Sequence, residues 1–207
     1  NPVRQNLLDT SVLKDEAVRS FGLIPGKRTI LIVGGSLGAR TLNESVLGNL
    51  PLVKQQSKVQ FVWQTGKYYS EQIKAELERR GCPENLKVMD FISDMKQAYA
   101  AADLVISRAG AGSISEFCLL GKPVILVPSP NVAEDHQTKN ALALVQKSAA
   151  LYVADADARR TLLPLAINTV EDHNKLEGLS RNIVQLARPN AASDIADEVI
   201  RLAEGGK

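Results

Sequence analysis

The sequence predicts an α/β protein built as a Rossmann-like, doubly wound parallel sheet of about six strands, and three observations carry that prediction. Short apolar runs begin near residues 29, 59, 86, 103, 123 and 150, with helical spacing between them. The runs at 29–33 and 104–106 are apolar or β-branched throughout, as strands covered on both faces must be. Two runs lead into glycine-containing turns, Gly34-Gly35-Ser36-Leu37-Gly38 at once and Gly110-Ala111-Gly112-Ser113 three residues on, and then into a helix. Strands alternating with helices through right-handed crossovers leave one main solution, with helices on both faces and ligands at the carboxyl ends of the strands.

The elements follow in order. Residues 1–13, opening on Asn1-Pro2-Val3-Arg4, read as an extended linker, because Pro2 opposes a helix. A short helix over 14–21 stops at Gly22, and Pro25-Gly26 turns the chain into the first strand. Helical spacing over 39–50 follows the first glycine turn. A strand at 59–64 precedes an amphipathic helix over 68–80 that Gly81 terminates, then a strand at 86–89 and a short helix over 94–102 with Asp94 as its cap. The strand, turn and helix around Gly110 come next, the helix ending near Gly121. A strand at 123–127, a proline-rich loop at 128–131, a helix over 134–146 and an edge strand at 150–153 complete the sheet. Three helices, over 157–169, 175–186 and 191–203, end the chain.

The 207 residues suit one substantial domain, and 44% apolar with 23% charged residues can build a core without disulfide or metal. A formal charge of +2 with dispersed Lys and Arg gives no electrostatic footprint for nucleic acid. No apolar run has the length of a membrane span. Cys82 and Cys118 have no neighbours at metal-ligand spacing and read as interstrand or core thiols of a reducing compartment.

Glycine lets a backbone approach a ligand closely, and a helix start offers unpaired N–H groups with the positive end of the dipole. Ser36 in the first turn and the start around Ala111, Gly112 and Ser113 in the second are therefore candidate phosphate cradles. Glu116 would repel a bare phosphate but accept hydrogen bonds from sugar hydroxyls beyond it, so the pair points to a nucleotide. Neither turn matches Gly-x-Gly-x-x-Gly, and Gln64 stands where a dinucleotide fold carries an acidic residue for the ribose. The Walker pattern is also absent from the sequence. Arg108 reads either as a surface charge or as a diphosphate clamp. His136 and Gln137 open a helix at the same rim and read either as sugar-reading polar groups or as a solvated helix start. Asp155-Ala156-Asp157 has the form of a metal-binding Asp-x-Asp, but its place before a helix favours capping; His173 reads as solvated.

Gly34-Gly35-Ser36-Leu37-Gly38-Ala39, Phe91-Ile92-Ser93-Asp94-Met95, Ser107-Arg108-Ala109-Gly110-Ala111-Gly112-Ser113-Ile114-Ser115-Glu116, Gly121-Lys122-Pro123 and Glu134-Asp135-His136-Gln137-Thr138-Lys139-Asn140-Ala141 occur in that order. Together they resemble the carboxyl-terminal half of the MurG family, bacterial N-acetylglucosaminyltransferases that convert lipid I to lipid II in peptidoglycan synthesis. The resemblance implies one half of a two-domain GT-B fold, with a linker at 1–13, a donor domain at 14–190 and a terminal helix at 191–207 that crosses to an amino-terminal domain. It implies that Ser36 contacts the diphosphate, that Ile92 packs at the uracil, and that Glu116 binds the ribose. Arg108, Ala111, Gly112 and Ser113 would surround the phosphates, His136 and Gln137 would read the sugar, and Arg4 would lie at the cleft. Leu37 and Gly112 depart from residues common in the family, and neither change removes a backbone N–H.

By the same resemblance the donor is UDP-N-acetylglucosamine, and lipid I and the general base belong to the amino-terminal domain. No catalytic residue, metal or cofactor is implied here. The enzyme would be cytoplasmic, peripheral on the inner face of the plasma membrane, without a transmembrane segment or a nucleic-acid partner. A UDP-N-acetylglucosamine epimerase-like enzyme and a nucleotide-binding module without catalysis remain the alternatives.

Overall fold

Alternation along the strands divides the apolar residues between two cores. In β1 (Arg28–Val33), Ile30 and Ile32 face one core with Leu42, Phe61, Trp63 and Leu162, whereas Leu31 and Val33 face the other with Val62, Val105, Phe117 and Ile183. The computed structural model in which these contacts are seen describes residues 1–3, 7 and 12–205. Together with β2 (Val59–Gln64), β3 (Leu86–Met89), β4 (Leu104–Ser107), β5 (Val124–Leu126) and β6 (Leu151–Tyr152), β1 forms a six-stranded sheet in the order β3-β2-β1-β4-β5-β6. Every pairing is parallel. The fold class expected from the sequence is the one found.

Helices cover both faces: α1 (Lys14–Ser20), α2 (Arg40–Gly48), α3 (Leu50–Lys54), α4 (Ser70–Arg80), α5 (Met95–Ala101), α6 (Ala111–Leu120), α7 (His136–Val145), α8 (Asp155–Glu171), α9 (His173–Val184) and α10 (Ala191–Glu204). Asp94 caps α5, its Oδ1 accepting from the Gln97 amide at 3.1 Å. Gly121 ends α6 in the left-handed conformation, as expected.

Three expectations change. The single helix over 39–50 is two, because the chain leaves helical geometry at Asn49 and Pro51 restarts it near the beginning of α3. The helix over 134–146 begins at His136, since Glu134 and Asp135 take φ of 53° and 51°, and a 3-10 turn over Ala133–Asp135 precedes it. The helix expected from 157 begins at Asp155, with Ala154 at its cap position and no side-chain cap bond.

Within the expected linker, residues 4–6 and 8–11, Arg4 among them, lie outside the described residues, while Leu7 is 3% exposed in the second core. At the other end α10 buries Ala191 alone among its described residues and leaves Ile195, Val199, Ile200 and Leu202 on the surface. Among the described residues, no helix is long and apolar enough to cross a membrane.

Candidate functional site

Strand order reverses between β1 and β4, and Val33 pairs there with Ser107, so both glycine turns leave neighbouring strand ends at one level. A parallel sheet opens a crevice at such a reversal, on its carboxyl side.

The turn after β1 is held by its own packing. Gly38 has φ +83°, and a Cβ there would stand 2.0 Å from the Thr65 carbonyl oxygen; on Gly66, φ +81°, a Cβ would stand 2.2 Å from the Gly38 nitrogen. The two backbones touch, and only glycine allows it. Beneath them the buried Asn43 donates from Nδ2 to the Thr65 carbonyl at 2.8 Å and accepts from Trp63 Nε1 at 3.0 Å. Ser36 is exposed at the tip.

The turn after β4 is different. Gly110 is the cap residue of α6, with φ −69° and ψ 138°. The amides of Ala111, Gly112 and Ser113 then have no hydrogen-bond partner among the described residues, as the first turn of a helix requires. Ala111 and Gly112 are exposed and Ser113 is partly so, and among the described residues nothing beyond the adjoining backbone lies within 4 Å of where a Cβ on Gly110 or Gly112 would be. Glu116 follows on α6. Its Oε2 accepts from the Tyr99 hydroxyl at 2.7 Å, and the Tyr99 ring meets Phe117 edge to face at 5.8 Å, so α5 orients the carboxylate.

The remaining candidates differ in how freely they face solvent. Ile92 is 3% exposed in the second core, beside the half-exposed Phe91. His136 is exposed, with Nδ1 2.9 Å from the Ala133 carbonyl. Gln137 accepts at Oε1 from the Ala109 and Ser129 amides at 3.2 and 2.9 Å, tying the turns after β4 and β5 together. Asn140 donates to the Ala109 carbonyl at 3.2 Å, one helical turn from Gln137, a partner the i, i+3 spacing on α7 would have suggested.

Arg108 is no surface charge. Its Nη1 lies 2.5 Å from Asp155 Oδ1 and donates to the carbonyls of Val127 and Pro128, each at 3.0 Å. Asp155 is therefore an ion-pair partner and not the helix cap read from the sequence; Asp157 pairs with Arg160 on the surface. Among the described residues, no group of three or more His, Cys, Asp or Glu could hold a metal ion. His173 pairs with Glu177 at 3.1 Å in the open.

The glycosyltransferase family 28 C-terminal domain matches residues 29–199 of this chain. UDP-N-acetylglucosamine N-acetylmuramyl-(pentapeptide) pyrophosphoryl-undecaprenol N-acetylglucosamine transferase from Bacteroides fragilis is 62% identical over 204 residues, 99% of this chain and 54% of its own. Its counterpart from Bacteroides thetaiotaomicron is 62% identical over 204 residues, covering 99% and 55% of the two chains. The crystal structure of Acinetobacter baumannii MurG superposes with a TM-score of 0.75 at 31% identity, over 94% of this chain and 55% of that one. This chain spans about half the length of the curated relatives it matches.

Proposed function

Since the chain belongs to the glycosyltransferase family 28 C-terminal domains, we propose that it is the donor-binding half of an inverting enzyme that transfers N-acetylglucosamine from UDP-N-acetylglucosamine to lipid I, forming lipid II. The observation that carries the reading is the pair of turns at the β1 and β4 ends, one of them presenting three unpaired amides with the Glu116 carboxylate on the same helix. A pyrophosphate suits the amides and the Ser36 hydroxyl; a ribose suits Glu116, held by Tyr99. Main chain at Ile92 would receive the uracil. His136 and the amide nitrogen of Gln137 would meet the sugar.

In this reading the acceptor hydroxyl attacks the anomeric carbon, the bond from that carbon to the UDP oxygen breaks, and the hydroxyl proton passes to a base on the amino-terminal half. The α6 amides then stabilise charge gathering on departing UDP, an electrostatic contribution made before the reaction begins. The domain division follows: 1–13 as linker, 14–190 as donor domain, and α10 crossing to the other half, which would cover Ile195, Val199, Ile200 and Leu202. A lipid-linked acceptor would place the whole enzyme on the inner face of the plasma membrane.

Calorimetry of this chain with UDP, UDP-N-acetylglucosamine and NAD tests the reading. Binding of both uridine ligands with no response to NAD is expected; an equal response to NAD would overturn it. Incubation with UDP-N-acetylglucosamine alone should leave the sugar unchanged, whereas release of UDP or a 2-epimer would move the assignment to an epimerase. Transfer to lipid I should appear when the amino-terminal half is added.

A further inference from the structure

One ion pair joins four loops on the carboxyl side of the sheet. Arg108 lies in the turn after β4, Val127 and Pro128 in the loop after β5, and Asp155 at the start of α8, just past β6. Asp155 Oδ2 accepts from Thr41 Oγ1 at 2.9 Å, and Thr41 is the second residue of α2, immediately after the first glycine turn. The Arg108 and Asp155 side chains are 15% and 22% exposed.

We propose that Asp155 and Thr41 are positioning residues for the pyrophosphate, acting through Arg108 to hold the two turns at the separation that a diphosphate spans. The inference rests on the donor-site reading above. A carboxylate at the edge of a phosphate site would oppose binding if it stood alone; paired with Arg108 its charge is neutralised. Arg108 in turn is held at Nη1 by three acceptors, so its guanidinium is tied to the loop after β5 and to the start of α8. A partly buried ion pair adds little net stability over apolar residues of the same shape, so what this one contributes is geometry. Amides that must meet two phosphates are effective only when their supports are locked, and a shift near 1 Å is enough to weaken them.

The test compares UDP with uridine, which lacks the phosphates, by ligand-observed NMR on this chain and its variants. For Asp155→Asn the affinity for UDP should fall about tenfold while that for uridine changes less than about twofold. Thr41→Val should lose about threefold on UDP alone, and Thr41→Ser, which keeps the hydroxyl, should recover it. An equal loss on both ligands, or no loss, overturns the proposal. A gain in UDP affinity in Asp155→Asn also overturns it, because Arg108 released from Asp155 would then be the phosphate clamp. If Asp155→Asn does not fold, the two Thr41 variants decide the matter, and a Thr41→Ser as weak as Thr41→Val counts against it. Failure of the unaltered chain to bind UDP is a separate outcome, one that removes the donor-site reading and this inference together.

Discussion

In the turn after β1, glycine is demanded by the chain itself, for Gly38 and Gly66 press backbone on backbone at positive φ. In the turn after β4, Gly110 and Gly112 have no positive φ and, among the described residues, no neighbour that a methyl group would strike. The two units look alike as sequence, strand then glycine then helix, yet the first uses Gly34 and Gly38 for close packing and the second leaves a helix start open to solvent. A glycine turn therefore has two physical meanings, and the space around the missing Cβ tells them apart.

The largest effect should come from Gly38→Ala, which combines a disfavoured φ with a backbone overlap and should cost about 3 kcal/mol or more in denaturant unfolding. A cost below about 1 kcal/mol would mean the first turn relaxes freely and would break the contrast. Asn43→Leu should cost about 2 kcal/mol, because it strands both the Trp63 N–H and the Thr65 carbonyl in the core. Lys122, just past the far end of α6, donates from Nζ to the Ala102 carbonyl at the end of α5 at 3.0 Å. Burial lowers its pKa to about 8, with Lys14 adding to the fall and Asp103 opposing it. Below that value both folded and unfolded chains hold the proton; above it the folded chain loses the proton first. Stability relative to Lys122→Met should thus rise by about 1 kcal/mol from pH 8 to pH 9, and a flat difference would show the ammonium to be solvated.

Ala111→Pro sharpens the other side of the comparison. Position 111 is the first residue of α6, and Gly110 before it already has the extended geometry proline prefers. Stability should change by less than about 0.5 kcal/mol in denaturant unfolding while UDP affinity falls about fivefold, since one amide donor is gone. Unchanged UDP affinity would remove the Ala111 amide from the cradle.

Much of the local architecture was legible in the residues. The β2 and β3 strands lie where the apolar runs put them, and Asp94 caps α5. The break at Asn49 was hidden because apolar spacing continues across it through Leu50 and Leu52. Glu134 and Asp135 favour no left-handed turn strongly enough to predict one; it becomes visible only with the loop in place. Site residues divide in the same way. The helix start after Gly110 was expected from pattern, whereas the burial of Ile92 and the engagement of Gln137 were not.

By itself the sequence determined which segments are strands and helices, and that two glycine turns end strands, because apolar periodicity and glycine placement act over a few residues. Tertiary structure decided that β1 and β4 are neighbours, that Gly38 meets Gly66, and that Arg108 pairs with Asp155 from 47 positions away. Such choices depend on which backbone atoms and charges come within a few ångströms once the sheet has closed, a distance that no local pattern encodes.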